Sequence, residues 1–147
     1  MTEIPDKLAA ILEDFRWITD RNERAEMLIE YGDHFEPVPE HIAQRPYPEE
    51  HRVQACESEA YVWVEPLPDG TAKFHFAVEN PQGLSAKALA TILDQTLSGA
   101  PLEQVMEVPQ DIVFDLFGKD LSMGKGAGLT NLVSLTKAFA RQQMQNT

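Results

Sequence analysis

The stretch VQACESEAYVWVEPLPDGTAKFHFAVEN, residues 53–80, determines what kind of sheet this chain can form. Aromatic and β-branched side chains alternate along residues 60–64, which is typical of a strand with two different faces. The tetrapeptide Pro-Asp-Gly-Thr at 68–71 is a strong turn signal, and residues 72–78 alternate again. The stretch therefore predicts an antiparallel hairpin, with Cys56 in the connection just before its first strand.

Helical periodicity precedes the predicted hairpin. Apolar residues recur at three- and four-residue steps over residues 8–18, which predicts a first amphipathic helix. Asp20 is a typical N-cap residue, and a second helix is predicted over residues 21–31, with Ala25 and Ile29 among its inward-facing side chains.

Further helices are predicted after the hairpin. Ser85 can cap a helix with a clear apolar face, and short helices are predicted at 102–106 and 112–117. The last helix is predicted to begin near residues 126–128 and to fray after Arg141. The pattern as a whole indicates an α+β fold, with helices packed on one side of a small antiparallel sheet.

Residues 36–50 separate the first two helices from the hairpin and have no periodicity. The segment contains four prolines, at positions 37, 39, 46 and 48. They exclude a helix and disfavour a central strand, so we predict an extended loop over the surface. Because proline lowers the entropy lost on ordering, this loop can be well ordered.

Length and composition indicate one globular domain over residues 1–147. The chain has 43% hydrophobic and 24% charged residues, which are ordinary values for a packed domain. Its formal net charge of −12 repels phosphate backbones and anionic lipid. No apolar run reaches the ~18–20 residues of a membrane span, and the N-terminus lacks the features of a secretion signal. We therefore expect a cytoplasmic protein that binds neither nucleic acid nor membrane.

Cys56 is the single cysteine of the chain and its one soft nucleophile. A lone cysteine excludes an internal disulfide and any zinc or cluster site that uses several thiolates of one chain. Its position outside the periodic elements, in a polar loop beside a strand, favours a chemical role over simple core packing. A thiol without a base nearby in sequence suits sulfur–sulfur exchange, because exchange needs only a thiolate and access.

Other patterns give weaker indications of a site. The glycine-rich segment at 124–128 precedes a helix and hints at anion binding, but its spacing departs from a nucleotide-binding P-loop. A zinc site built from His41, His51 and Cys56 is conceivable, although the histidine spacing matches no metal motif. A cysteine hydrolase would need His51 against the thiol. The sequence therefore predicts neither a resident metal nor a cofactor.

Two motifs, in their order and spacing, resemble the SufE family. Residues 53–61, VQACESEAY, are similar to the family signature V-x-G-C-x-S followed by an aromatic strand. Residues 121–129, LSMGKGAGL, are similar to its C-terminal signature, and residues 87–89 fall where the long helix of the family starts. The helical pair before the hairpin also matches, so the resemblance spans nearly the whole chain.

The resemblance implies a sulfur acceptor for a SufS-type cysteine desulfurase, which is a pyridoxal-phosphate enzyme. Family members take persulfide sulfur onto the cysteine that corresponds to Cys56, stimulate the desulfurase, and pass the sulfur towards an iron–sulfur scaffold. The resemblance also implies a fold like that of the IscU scaffold, and a helper protein rather than a stand-alone enzyme. We therefore predict Cys56 as the persulfide acceptor, with Ser58 and Lys125 in supporting roles.

Three positions depart from the family pattern. Ala55 stands where the family usually has glycine, Met123 where it often has proline, and Lys125 where it often has arginine. A lysine keeps the charge but loses the planar fork that makes bidentate contacts. The alternative function is an adaptor module that binds and regulates a partner protein without carrying sulfur. Replacing Cys56 by alanine would then leave its effect unchanged.

Overall fold

The predicted antiparallel hairpin forms the sheet of the computed structural model, which describes residues 3–146. Strand β1 (Ala60–Pro66) pairs with strand β2 (Ala72–Val78) along their full lengths. Asp69 closes the turn between them, because its carboxylate accepts bonds from the Thr71 hydroxyl at 2.6 Å and backbone N–H at 3.0 Å. These two bonds hold the pKa of Asp69 below its usual value, and the bond from the Thr71 hydroxyl has the larger effect. The turn chemistry of the sequence thus produces the expected hairpin.

Helices cover one face of the hairpin, so the predicted α+β class is confirmed. They are α1 (Asp6–Arg16), α2 (Arg21–Asp33), α3 (Leu84–Leu97), α4 (Leu102–Met106), α5 (Ile112–Phe117) and α6 (Met123–Gln145). The long helix α6 packs on β1, and α3 packs on β2. Helices α1 and α2 both pack on α3. No helix within residues 3–146 combines the length and the apolar character needed to cross a bilayer.

The main hydrophobic core lies between the hairpin and these helices. Its largest fully buried side chains include Phe15, Phe74, Leu89, Ile92, Leu93, Leu97, Ile112, Leu116 and Leu132. Full burial of a side chain of this size contributes ~1.5–3 kcal/mol to folding. The core therefore fixes α6 firmly against β1, and the connection before β1 lies beside that contact.

The proline-rich segment, residues 36–50, covers the opposite face of the hairpin as the predicted loop, except that a single 3-10 turn, Glu49–His51, begins within it. Tyr47 packs its ring against Tyr61 and Trp63, with ring centroids 5.2 Å and 5.0 Å apart. These aromatic side chains form a second, smaller buried cluster on the outer face of the sheet. The alternation along β1 is what separates this cluster from the main core.

The start of α6 differs from the prediction. The helix begins at Met123 rather than near residue 126, and it continues past Arg141 instead of fraying there. The reason is Ser122, whose Oγ accepts a bond from the backbone N–H of Lys125 at 3.3 Å. This side-chain cap outweighs the low helix propensity of the glycines that follow it.

Two smaller predictions about helices are wrong. Ser85 does not cap α3, because that helix begins at Leu84 with Gly83 in the N-cap position. On α2, Ala25 and Ile29 are exposed rather than inward-facing. The partly buried apolar side chains of α2 that pack on the core are Met27, Leu28 and Tyr31.

Candidate functional site

Cys56 lies in a short loop just before β1, and the residues that flank the loop on its two sides lie next to each other. We call residues 54–59 the Cys56 loop. At its base, the Val53 N–H donates to the Ala60 carbonyl at 2.9 Å. Within the loop, the Glu59 N–H donates to the Cys56 carbonyl at 3.2 Å. The loop is therefore short and tightly closed, and its base is hydrogen-bonded directly to the start of β1.

Two residues of the Cys56 loop have a left-handed backbone although they are not glycine. Ala55 has a φ of +55° and Glu59 a φ of +53°. A residue with a Cβ pays ~1–2 kcal/mol for this conformation. Position 55 is where the SufE pattern usually has glycine, and the positive φ explains that preference. The loop therefore stores backbone strain on both sides of Cys56.

Cys56 is nearly hidden, since 8% of its surface is exposed, and it packs with the main core. Helix α6 passes so close that a Cβ at Gly128 would lie 3.1 Å from the Cys56 Cα and 3.1 Å from the Ala55 oxygen. Gly128 is thus what allows the helix to cover the cysteine. Sequence analysis missed this role, although a glycine in a helix interior is a signal of close backbone approach.

A pocket of about 170 Å³ opens beside Cys56. Its lining brings together the three side chains that sequence analysis singled out, Cys56, Ser58 and Lys125. Lys125 lies in the first turn of α6, where backbone N–H groups lack intrahelical acceptors and the helix dipole is positive. The pocket therefore offers one cation and several hydrogen-bond donors to an anion carried on the cysteine sulfur, while Glu57 adds one acidic residue to the same lining.

Two asparagine side chains hold the Cys56 loop, one on each side of the cysteine. The Asn131 amide, on α6, donates to the Gln54 carbonyl at 2.8 Å. The Asn80 amide, just after β2, donates to the Glu57 carbonyl at 3.1 Å. Sequence analysis missed both, because the bonded residues lie 77 and 23 positions apart. No local pattern around either asparagine indicates such a contact.

An ion pair supports the strand end next to the Cys56 loop. Arg45 binds the Glu79 carboxylate through two bonds of 2.6 Å and 2.9 Å. This hydrogen bonding from Arg45 is the main reason why the pKa of Glu79 lies below its usual value. Glu79 in turn donates its backbone N–H to the Glu59 carbonyl at 3.1 Å. The proline-rich segment is thus connected to the point where the loop rejoins the sheet.

His51 is engaged in packing rather than paired with the thiol. Its Nδ1 lies 2.8 Å from the Val62 carbonyl oxygen. Its ring stacks on Trp63 and on Phe139, each with centroids 5.2 Å apart. This placement argues against the cysteine-hydrolase alternative. The zinc alternative is not formed either, since residues 3–146 bring no three His, Cys, Asp or Glu side chains together to hold a metal ion.

Comparison with known proteins identifies the family. Residues 9–140 match the family model SufE, described as an Fe-S metabolism associated domain. The chain belongs to the SufE family. The match covers both signature motifs, so the resemblance seen in the sequence is confirmed.

Several SufE-like proteins are similar to this SufE-family chain. An uncharacterized SufE-like protein of Synechocystis sp. is 30% identical over 149 residues, which cover 97% of this chain and 87% of the relative. SufE-like protein 1, chloroplastic/mitochondrial, of Arabidopsis thaliana is 28% identical over 94% of this chain. The cysteine desulfuration protein SufE of Plasmodium vivax is 33% identical over 69% of it. The aligned part spans only 36% of the Arabidopsis protein and 42% of the Plasmodium protein.

A solved structure shares the fold of this SufE-family chain. It is the solution structure of a hypothetical protein from Thermus thermophilus, with a TM-score of 0.75 and 26% sequence identity. The superposition covers 97% of this chain and 98% of the Thermus chain. The shared fold therefore extends over nearly the full length of both proteins.

Proposed function

We propose that this SufE-family chain accepts sulfur from a cysteine desulfurase on Cys56 and passes it towards iron–sulfur cluster assembly. The observation that carries the proposal is a cysteine with 8% of its residue surface exposed, beside a pocket that Ser58 and Lys125 also line. The family description, Fe-S metabolism associated domain, supports the same role. So does the name of the Plasmodium vivax relative, cysteine desulfuration protein SufE.

The proposed transfer is a thiol–persulfide exchange. The desulfurase presents a persulfide, R–S–SH, and the Cys56 thiolate attacks its outer sulfur. A new sulfur–sulfur bond forms on Cys56 while the sulfur–sulfur bond on the desulfurase breaks. The desulfurase cysteine leaves as a thiolate and takes up the proton that Cys56 has lost. The exchange transfers one sulfur atom without net oxidation or reduction.

The surroundings of Cys56 suit the product of this exchange. A persulfide anion gains from the positive charge of Lys125 and from those first-turn N–H groups of α6 that Ser122 does not cap. The Ser58 hydroxyl supplies a further donor in the same pocket. Burial of the sulfur limits access of reductants that would release it as sulfide. In this proposal Ser58 and Lys125 support the anion, and Cys56 alone reacts.

The proposal assigns the remaining chemistry to partners. The desulfurase, a SufS-type pyridoxal-phosphate enzyme, breaks the carbon–sulfur bond of free cysteine and forms the persulfide. This chain then clears the desulfurase of sulfur and so stimulates its turnover. A downstream iron–sulfur scaffold receives the sulfur from Cys56. The chain is accordingly a helper of the desulfurase and not a stand-alone enzyme.

Desulfurase turnover tests the proposal. The rate of alanine release from free cysteine is measured with a SufS-type desulfurase, alone and with this chain or its Cys56→Ser variant. We expect the parent chain to raise the rate several-fold and Cys56→Ser to leave it at the basal value. Equal thermal unfolding of the two proteins serves as the control for folding. Equal stimulation by both would overturn sulfur acceptance and support the adaptor alternative.

A further inference from the structure

We propose that Asn80 and Asn131 are positioning residues that latch the Cys56 loop inward, with Ala55 and Glu59 as its hinges. The latch explains how a nearly buried thiol is kept ready to meet a partner. Its purpose rests on the proposed function, whereas its existence is a property of the isolated chain. The two can therefore be tested separately.

The latch consists of two side-chain bonds that bracket the cysteine. Asn131 donates to the carbonyl two positions before Cys56, at 2.8 Å. Asn80 donates to the carbonyl one position after it, at 3.1 Å. The donors come from different elements, α6 and the connection after β2, so the loop is tied to both. Both bonds are near the surface, where water can replace them when the loop opens.

The hinges oppose the latch. Ala55 and Glu59 are held at φ values of +55° and +53°, and both can relax to ordinary backbone conformations once the loop leaves its seat. The inward state is therefore the strained state. The asparagine side-chain bonds offset the strain together with two backbone bonds of 3.1 Å, from the Glu79 N–H to the Glu59 carbonyl and from the Asn80 N–H to the Ser58 carbonyl. A loop balanced in this way opens locally without unfolding the core around it.

The Cys56 loop packs so closely against α6 that it has to open before Cys56 can react. The backbone around Cys56 lies so close to α6 that a Cβ at Gly128 would come within 3.1 Å of it. With 8% of its surface exposed, Cys56 cannot present its sulfur fully from this position. The fraction of molecules with an open loop therefore limits how often the thiol meets any reagent or partner.

Alkylation of Cys56 by iodoacetamide in the isolated chain tests the latch. We compare the parent with Asn131→Leu, Asn80→Ser and the double variant, each across a pH series. Serine at 80 keeps a side-chain oxygen for the Gln82 N–H that Asn80 now binds at 2.9 Å. Loss of one net hydrogen bond should raise the open fraction of the loop, and with it the alkylation rate, roughly fivefold in each single variant. In the double variant the two increases should multiply. The midpoint of the pH profile should stay in place, because the latch alters the open population and not the thiol.

Two control variants separate the latch from general effects. Asn22→Leu removes an exposed amide on α2, and Ile112→Val weakens the buried core without touching the loop. In both variants, Cys56 should be alkylated at the same rate as in the parent chain. The latch is overturned if neither asparagine variant exceeds the controls, or if the pH midpoint shift accounts for the change in rate. Such a result would leave sulfur acceptance untouched, since that is measured by the mass gained from a desulfurase.

Discussion

The hairpin carries one attached segment at each edge, and the two are held in different ways. At the β2 edge, the Val38 N–H of the proline-rich segment donates to the Phe76 carbonyl at 2.8 Å. That segment is then fixed by aromatic packing and by the Arg45–Glu79 ion pair. At the β1 edge, the Cys56 loop has two left-handed residues. It is held by two surface side-chain amides and by the backbone N–H groups of Glu79 and Asn80, which donate to the Glu59 and Ser58 carbonyls.

The contrast shows how one small sheet can support a fixed cover and a movable loop. Removing buried aromatic surface weakens the whole fold, because that area is buried only in the native state. Breaking surface hydrogen bonds over a strained backbone shifts a local equilibrium instead. Substitutions in the packing of the proline-rich segment should therefore change the free energy of unfolding of the whole chain. Substitutions that affect the Cys56 loop should change how accessible the thiol is.

Trp63→Ala should have the largest effect on stability. The indole is 6% exposed and contacts the rings of Tyr47 and His51, so its loss should lower the free energy of unfolding by ~3–5 kcal/mol. Urea denaturation followed by circular dichroism measures the loss. Under native conditions the alkylation rate of Cys56 should stay within about twofold of the parent. A rate that rose in proportion to the lost stability would show that the two segments open together.

Gly128→Ala and Gly124→Ala form a matched pair on α6. A Cβ at Gly128 would press on the Cys56 loop at 3.1 Å, whereas a Cβ at Gly124 would meet no atom within 4 Å. We expect Gly128→Ala to lose ~1–3 kcal/mol of unfolding free energy through overpacking, and to speed alkylation of Cys56. Gly124→Ala should gain up to ~1 kcal/mol from helix propensity alone. Equal stability of the two variants would contradict the close approach of α6 to the loop.

Ala55→Gly should stabilise the protein by ~0.5–1 kcal/mol, because glycine adopts the positive φ of this position without strain. Ala127→Gly is the matched control, since Ala127 is an exposed residue within α6. There the same substitution should destabilise by about 1 kcal/mol. Thermal unfolding of both variants checks the sign. A loss of stability on Ala55→Gly would argue against a left-handed residue 55.

The smallest change in stability is expected on lowering the pH, through the Arg45–Glu79 ion pair. Hydrogen bonding from Arg45 lowers the pKa of Glu79, so the bond stabilises the fold fully above the ordinary glutamate pKa. The stabilisation is lost as pH falls through the lower value of the folded state. The stability difference between the parent and Glu79→Gln should therefore be steady near pH 6 and shrink below about pH 4. Urea titrations at several pH values measure it, and a difference that grew in acid would contradict the ion pair.

Local chemistry explains which parts of the fold were predictable. The hairpin, its Pro-Asp-Gly-Thr turn and the short helix α4 follow from alternation, turn residues and flanking prolines, and all agree with the structure. The start of α6 was predicted too late, because glycines 124, 126 and 128 suggested a break that the Ser122 cap overrides. Helix caps and glycine runs give opposing signals, and one sequence does not say which prevails.

The candidate site divides in the same way. Cys56 and Ser58 lie two positions apart in one motif and Lys125 belongs to a second motif, so the sequence alone proposes all three. Asn80, Asn131 and Gly128 act through contacts with residues remote in the chain, which only the folded structure brings together. The residues proposed for the site were thus predictable from motifs, and the residues that hold the Cys56 loop in place were not.

The most direct test of the account is the intact mass of the chain after incubation with a cysteine desulfurase, pyridoxal phosphate and free cysteine. We expect a gain of one sulfur atom, about 32 Da, as a persulfide that reductant removes. The gain should be absent in Cys56→Ser. An unchanged parental mass while the desulfurase turns over, or the same gain in Cys56→Ser, would contradict Cys56 as the sulfur acceptor.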